Sequence, residues 1–209
     1  MGDLVLTEAE INPVMSAVLD NGLDVTALHN HFLLDSPRIF YMHVHGHGAT
    51  ADLAKKIQPA IALIGKGAPP AGATAGRAID GKLDTDAIAR TIGAAGEQNG
   101  AVYKITMGRS DFTLKEMGAT INARMGLNTW AAFYGSDADA VVAGDVAMLA
   151  NEVTPVLKAL RTNGIDVVAI HHHMTNTTPD VYFVHYWGKG PAAKLAAGLK
   201  SAMSLLGKK

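Results

Sequence analysis

The apolar positions along the chain follow two periods, whose order predicts a strand, a helix, two strands and a second helix. Short stretches rich in β-branched and aromatic residues are typical of strands, and longer stretches with apolar residues three or four apart are typical of helices. In chain order these are the strand DLVLT (3–7), the helix EINPVMSAVLDNG (10–22), the strands LDVTALHNHF (23–32) and RIFYMHVHG (38–46), and the helix TADLAKKIQPAIALIG (50–65). A Ser-Pro turn separates the paired strands, and Pro59 predicts a kink in the second helix.

The same order returns 142 residues later in the chain. Residues 2–66 align with 144–208 without a gap, and 24 of the 65 aligned positions are identical. A tandem duplication whose copies mix strands and helices favours an α+β fold. We therefore predict two tandem related units, each an antiparallel sheet with helices packed on one face.

The two copies differ in what precedes them. Residues 67–84 are rich in Gly, Ala and Pro and are interpreted as a linker, and residues 86–96 have the pattern of one more helix. Four strand-like stretches then precede or open the second copy, at 101–107, 111–117, 129–135 and 139–148. We place the first unit at 1–66, the linker at 67–84 and the second unit at 85–209. The first unit then lacks leading strands, and we expect a homodimer through the sheet edge that this exposes.

All nine histidines lie in two windows that align with each other, 29–47 and 171–185. Side chains at i and i+2 of a strand share a face, so each His-x-His pair points one way. The histidine twelve residues later lies on the next strand, within reach of that pair. Three imidazoles on one face match the ligand number of an open zinc site. The candidate metal ligands are His29, His31, His43, His45 and His47 in the first copy, and His171, His173 and His185 in the second.

Two alternatives to a metal site stay open, a hydrogen-bonded ladder of histidines and direct binding of a small polar ligand. Regular pairing places Val25 and Ala27 on the histidine face, and Thr26 on the other face. The second copy has Trp187 and Lys189 where the first has His45 and His47. It is therefore either a degenerate metal site or one that offers a substrate an aromatic ring and a cation.

Glu10 and Glu152 occupy aligned positions, each three residues before a shared proline. Thr7 and Glu10 fit a helix-capping box, whereas the second copy has Leu149 in place of Thr7. Because capping then fails to explain why both copies hold a glutamate, we predict a catalytic role for Glu10 and Glu152, as a ligand, a partner of a ligand or a general base. Arg109 lies between two strands and is either a turn residue in a salt bridge or an anion-binding group.

Composition excludes several other kinds of function. The formal charge of −1 gives no basic surface for nucleic acid, and the absence of cysteine excludes disulfides, thiolate metal sites and cysteine nucleophiles. No apolar stretch has the length of a transmembrane helix, and the first residues do not resemble a signal peptide. Localisation therefore stays unknown from composition alone.

Several motifs resemble the LppY/LpqO-like family, a domain of unknown function found in bacterial lipoproteins and exported proteins. The resemblance covers essentially the whole chain and is carried by MGDLVLTEAEINPVMSAVLDNGLDVTALHNH, FYMHVHGHG, GRSDF, TWAAF, IHHH and VHYWGKG. It implies an exported setting. It also implies a second Arg-Ser-Asp and Trp-Ala-Ala-Phe segment before the first Gly-Asp, so that this chain is expected to be a shortened form. The resemblance implies no reaction.

Two functions follow from these residues. The first is a zinc-dependent, hydrolase-like enzyme, in which His29, His31 and His43 hold the metal and Glu10 acts as base; copper and nickel also suit imidazole ligands. The second is a non-catalytic periplasmic protein that binds a metal or a small polar molecule. Arg109, Trp187 and Lys189 are the residues expected to contact such a molecule.

Overall fold

A computed structural model describes residues 1–66 and 81–208 of the chain. Helices and antiparallel sheets are both present, so the predicted α+β class is confirmed. The chain divides into two compact units, which we call unit 1 (Met1–Ala75 with His172–Thr175) and unit 2 (Gly76–His171 with Asn176–Lys209). The duplication and the domain boundaries drawn from the sequence stay predictions.

Unit 1 is a three-stranded sheet with two helices. Its elements in chain order are β1 (Gly2–Thr7), a 3-10 turn (Glu8–Glu10), α1 (Ile11–Asp20), β2 (Asp24–His29), β3 (Ile39–His45) and α2 (Thr50–Ile61). The sheet order is β1-β3-β2 and all pairs are antiparallel. Val14 and Val18 of α1 pack with Met42 and Val44 of β3, so the helices cover one face of the sheet and leave the other to the histidines.

A bulge in β2 changes which side chains reach the histidine face. Val25 pairs with Val44 and Ala27 pairs with His43, so the register shifts between these two pairs. Val25 consequently packs against the apolar core, and Thr26 turns towards His43. The regular alternation expected from the sequence is wrong at these two residues, because a bulge puts two residues opposite one.

Unit 2 is larger and contains a six-stranded sheet. Its elements are α3 (Thr85–Ile92), β4 (Gly96–Asn99), β5 (Val102–Gly108), β6 (Leu114–Glu116), β7 (Ala119–Ile121), a 3-10 turn (Ala123–Met125), β8 (Asn128–Gly135), β9 (Ala140–Leu149), α4 (Ala150–Thr162), β10 (Asp166–His171), β11 (Val181–Gly190) and α5 (Ala192–Met203). The main sheet has the order β10-β11-β9-β8-β5-β4, while β6 and β7 form a separate hairpin. The core packs Phe133, Val142 and Tyr186 of the sheet against Leu160 and Leu199 of α4 and α5.

Each expected element inside the described residues has a counterpart of the same type. The helix expected at 86–96 ends at Ile92, because Gly93 adopts a left-handed conformation (φ 87°) and closes it. Residues 67–80 of the expected linker lie outside the described residues. None of the helices within 1–66 and 81–208 combines the length and the apolar character needed to cross a lipid bilayer.

Candidate metal centre

The histidines of unit 1 lie on two neighbouring antiparallel strands. His29 ends β2 and is directly opposite Tyr41 of β3, while His43 of β3 is opposite Ala27 on one side and Asp3 on the other. Residues 41 and 43 are two apart, so His29, Tyr41 and His43 share one face of the sheet. The shared face predicted for His29 and His43 is therefore present.

The rings in unit 1 form a continuous stack. The ring centroids of His29 and His43 are 4.9 Å apart with planes only 6° from parallel, and those of His29 and His31 are 5.2 Å apart. Tyr41 stacks on His31 at 3.7 Å. Nitrogen atoms of His29 and His43 lie within 4.8 Å of one another, close enough to bind one ion.

A segment from far along the chain completes this stack. Residues 172–175 belong to unit 1, where the hydroxyl of Thr26 donates a 2.8 Å hydrogen bond to the carbonyl oxygen of His173. The His173 ring then lies 4.3 Å from that of His43. The alignment of the copies places His173 in the second copy, but the fold groups it with His29, His31 and His43.

Burial keeps these imidazoles neutral. Burial, with the neighbouring imidazoles of the stack as a second cause, lowers the pKa of His29, His31 and His43 from 6.5 to about 3. A neutral imidazole is the form that binds a metal. The affinity of the folded protein for metal should therefore resist mild acid, whereas unperturbed imidazoles would lose metal below about pH 6.5.

Unit 2 places two histidines and an aspartate on three adjacent strands. The Nε2 atoms of His171 on β10 and His185 on β11 are 3.3 Å apart, and their ring centroids are 4.7 Å apart. Asp145 on β9 is directly opposite His185, and ligand atoms of these two residues lie within 4.8 Å of each other. Asp145 is not among the site residues predicted from the sequence.

The Asp145 side chain is buried, with only 2% of the residue exposed. Burial raises its pKa well above the usual 3.8, and a hydrogen bond from the Val146 backbone only partly offsets this. Two signals in the sequence could have identified it. Asp145 is identical to Asp3 in the alignment of the copies, and it lies in a strand-like stretch with alternating apolar residues.

Glu10 and Glu152 each accept hydrogen bonds from backbone N–H groups at the start of one helix and just after the end of another. Glu10 accepts hydrogen bonds from the Thr7 and Gly65 backbone N–H groups at 2.8 and 2.6 Å. Glu152 accepts the matching bonds from Leu149 and Gly207 at 2.8 and 2.6 Å. Capping therefore operates in both units, because the glutamate needs only the backbone N–H of the capping residue. The catalytic role of Glu10 and Glu152 stays a prediction.

Arg109 lies between two carboxylates in unit 2. Its five N–H groups donate to Asp111, to Glu152 and to the carbonyl oxygen of Ala147, at distances of 2.7 to 2.9 Å. Although burial opposes the charge, the hydrogen bonds with Asp111 and Glu152 raise the pKa of Arg109. Burial also acts against ionisation of Glu152, but the bonds from Arg109 and the backbone hold its pKa below the ordinary value. Arg109 borders a pocket of about 320 Å³, lined also by Thr129 and Lys200.

The remaining predicted site residues occupy different surroundings. His45 is buried at the end of β3, whereas His47 is exposed beyond that strand and lines a pocket of about 370 Å³ at the start of α2. Trp187 lies on β11 opposite Ala143. Lys189 is exposed, and its Nζ atom is 3.8 Å from a carboxylate oxygen of Asp139.

Comparison with known protein families places the chain. A family model matches residues 1–63 and 86–205, which is most of its length. The chain belongs to the family described as Domain of Unknown Function (DUF1259). No curated protein and no solved structure matches the chain. The LppY/LpqO name and the exported setting that it implies stay predictions.

The buried histidines of both units can hold a transition metal ion. Imidazole nitrogen suits zinc, copper, nickel and iron, and the neutral ring is the form that binds these ions. The family description assigns no function, so the chemistry of the site must come from its residues.

Proposed function

We propose that this protein binds a divalent transition metal through its buried imidazoles, and that the ion is zinc. The observation that carries the proposal is the neutral histidine stack of unit 1, in which His29 and His43 offer nitrogens within 4.8 Å of each other and have pKa values of about 3. Four or more buried imidazoles on a sheet face have no role in packing that an apolar side chain would not perform better. Copper and nickel are the competing ions, because imidazole suits all three.

We further propose that the bound zinc serves a hydrolase-like reaction. Zinc would supply a bound water of lowered pKa. Glu10 and Glu152 are the proposed bases, and Arg109, Trp187 and Lys189 are proposed to contact the substrate. For Glu152 and Arg109, this role requires that their present hydrogen bonds open when substrate binds, because those bonds occupy all five N–H groups of Arg109.

The second candidate is a non-catalytic protein that binds a metal or a small polar ligand in the periplasm. The observation that favours it is the fixed position of both glutamates as helix caps, which leaves the metal centre without a demonstrated base. The two candidates differ in whether the metal-loaded protein turns over a substrate. Release of nitrophenol from ester and phosphoester probes by zinc-loaded protein, lost in the metal-free form, would favour the enzyme.

The proposal is tested by metal analysis of protein purified without a histidine tag. We expect at least one zinc equivalent in the wild type, and loss of metal or at least tenfold weaker binding for His29→Ala/His43→Ala and for His171→Ala/His185→Ala. The matched control is His47→Ala, because His47 is exposed and lies beyond β3. Wild-type protein that binds no transition metal would overturn the proposal.

We also propose that unit 1 associates with a second copy of the chain through β1. This strand is at the edge of its sheet, and Val5 is 51% exposed there. An open edge offers backbone donors and acceptors to another chain. Light scattering at several concentrations should show a dimer that Val5→Lys weakens, and a monomer at every concentration would contradict the proposal.

A further inference from the structure

One face of the six-stranded sheet of unit 2 is turned away from the helices that cover the other. Alternate residues of a strand point to opposite faces, and Ala131 and Phe133 of β8 lie fully buried in the helix-covered core. The residues that alternate with them, Trp130, Ala132 and Tyr134, therefore point to the opposite face. All three are partly exposed, so solvent reaches this face along β8.

Two further strands extend this face. Ala143 of β9 is directly opposite Ala132 of β8 on one side and Trp187 of β11 on the other, and directly opposite residues in a sheet share a face. Ala143 and Trp187 are partly exposed as well. Both tryptophans of the chain thus lie on the same sheet face. We call the group Trp130, Ala132, Tyr134, Ala143 and Trp187 the aromatic face.

The three rings of the aromatic face surround a floor of small side chains. Trp130 and Tyr134 are four residues apart on β8, which separates their Cα atoms by about 14 Å at a rise of about 3.4 Å per residue. Trp187 lies two strands away, at about 10 Å, in line with the middle of this interval. Ala132 and Ala143 occupy the space between the rings with one methyl group each. The aromatic face is therefore a shallow surface bordered by rings.

The chemistry of these side chains narrows the kind of ligand. The most exposed aliphatic side chains of residues 1–66 and 81–208 all lie elsewhere, so rings supply nearly all the large apolar surface here. The face of an aromatic ring carries partial negative charge, which attracts C–H groups with partial positive charge. Tryptophan and tyrosine also present a polar N–H or O–H group at the ring edge. The aromatic face therefore suits a ligand with apolar C–H faces and polar edges.

The charged groups beside the aromatic face balance each other. The Nζ atom of Lys104 is 4.4 Å from the centroid of the Trp130 ring, and Lys104 is directly opposite Glu97. The Nζ atom of Lys189 is 3.8 Å from a carboxylate oxygen of Asp139. Binding of nucleic acid depends on cations that neutralise phosphates, whereas each of these cations already has a carboxylate nearby. The balance of charge favours a neutral ligand.

We propose that the aromatic face binds a neutral oligosaccharide. Sugar rings have apolar faces of C–H groups, which stack on Trp130, Tyr134 and Trp187. Their hydroxyl groups form hydrogen bonds with the charged groups at the edge of the face, Lys104 and Lys189 among them. This inference goes beyond the proposed metal binding and hydrolase-like reaction and depends on neither.

The proposal is tested by tryptophan fluorescence of chelator-treated protein titrated with cellohexaose, N-acetylated chitohexaose and maltohexaose. Because both tryptophans lie on the aromatic face, the signal reports that face. We expect a saturable change with at least one of these sugars, together with protection of the tryptophans from acrylamide quenching. This measurement needs no variant, and the absence of a response to all three sugars would overturn the proposal.

Variants then locate the site. Calorimetric titration with the sugar that binds should show affinity about tenfold weaker or more for Trp130→Ala and Trp187→Ala. Trp187→Phe keeps a ring and should lose less affinity than Trp187→Ala. The control is Tyr182→Ala on β11, because Tyr182 packs against the helix-covered core and so lies on the opposite face. An equal loss in Tyr182→Ala would place the sugar elsewhere and contradict the proposal.

Two other occupants of the aromatic face give different results. Binding of oligothymidylate in place of the sugars, weakened by salt, would indicate a site for single-stranded nucleic acid and overturn the proposal. Tryptophan fluorescence that changes with protein concentration and not with sugar would indicate a second copy of the chain, with the same consequence. Protein that binds sugar but no metal would defeat the proposed function and leave this inference intact.

Discussion

Unit 1 and unit 2 use a glutamate in the same place but surround it differently. The Oε2 atom of Glu10 accepts two hydrogen bonds from Thr7, one from its hydroxyl group and one from its backbone N–H group. In unit 2 the guanidinium of Arg109 takes that position and binds both carboxylate oxygens of Glu152, at 2.8 and 2.9 Å. The side chains of Arg109 and Glu152 are only 5% and 3% exposed.

The strands that precede β9 account for this difference. Arg109 directly follows β5, and β5 pairs with β8, which pairs with β9. In unit 1, β1 pairs with β3 and forms the edge of the three-stranded sheet. Glu10 and Asp3 therefore stay accessible to water, while Glu152 and Asp145 are enclosed. The same residue types thus work as surface caps in unit 1 and as parts of a buried polar network in unit 2.

The largest expected effect comes from breaking the buried ion pair. Glu152→Ala leaves the Arg109 charge buried with one carboxylate, and we expect unit 2 to lose about 3–5 kcal/mol of unfolding free energy. Glu10→Ala removes a partly exposed cap and should cost at most about 1 kcal/mol. Both tryptophans, Trp130 and Trp187, lie in unit 2, so tryptophan fluorescence during urea unfolding reports unit 2 alone.

Circular dichroism reports both units and provides the complementary measurement for Glu10→Ala. Fluorescence midpoints that move equally for the two variants would mean that the buried network contributes no more than an ordinary cap.

An intermediate effect is expected at the aligned glycines Gly2 and Gly144. A Cβ atom added at Gly144 would collide with the hydroxyl of Tyr186 and the carbonyl oxygen of Trp130, which are hydrogen-bonded to each other. A Cβ atom at Gly2 would meet only Val44, at 3.3 Å. Gly144→Ala should therefore cost about 1–3 kcal/mol or more, and Gly2→Ala less than about 0.5 kcal/mol.

Urea midpoints of the two alanine variants check this difference, with the wild type as reference. A Gly144→Ala variant as stable as Gly2→Ala would contradict the close packing of the Tyr186 hydroxyl against Gly144 of β9.

The third difference between the units is the pH dependence of the metal-free protein, which should have opposite signs in the two units. Unfolding raises the pKa of His29, His31 and His43 from about 3 to about 6.5, so the unfolded state binds more protons between these values. Unit 1 is then destabilised as pH falls from about 6.5 towards 3. Asp145 has a raised pKa when folded, so its contribution to unit 2 is present below about pH 3.8 and is lost as pH rises.

Thermal melting in a chelator at pH 7.5, 5.5 and 4.5 checks these signs. We expect the circular dichroism midpoint to fall by about 5 °C or more across this range in the wild type, and the fall to be smaller in a His29→Gln/His31→Gln/His43→Gln variant. A wild-type midpoint that does not change with pH would contradict the neutral histidine stack.

Local patterns in the sequence were sufficient to predict the helices and strands and part of the candidate metal centre. The periods of apolar residues place β1, α1, β2, β3 and α2 in their observed order, since each period follows from backbone geometry. His29 and His43 could be paired from their spacing, because a hairpin brings such positions together. Thr26 was misplaced because a bulge depends on packing at Val25 and has no signature in the alternation of residues.

The sequence by itself determined the α+β class, the positions of its strands and helices, and the concentration of histidines on paired strands. These features depend on neighbours a few residues apart, and side-chain chemistry alone specifies them. Only the tertiary structure decided that His173 stacks with His43, that Asp145 is buried beside His185, and that Arg109 closes on Glu152. These contacts join residues 130, 40 and 43 positions apart, where burial and strand order, rather than any local preference, select the partner.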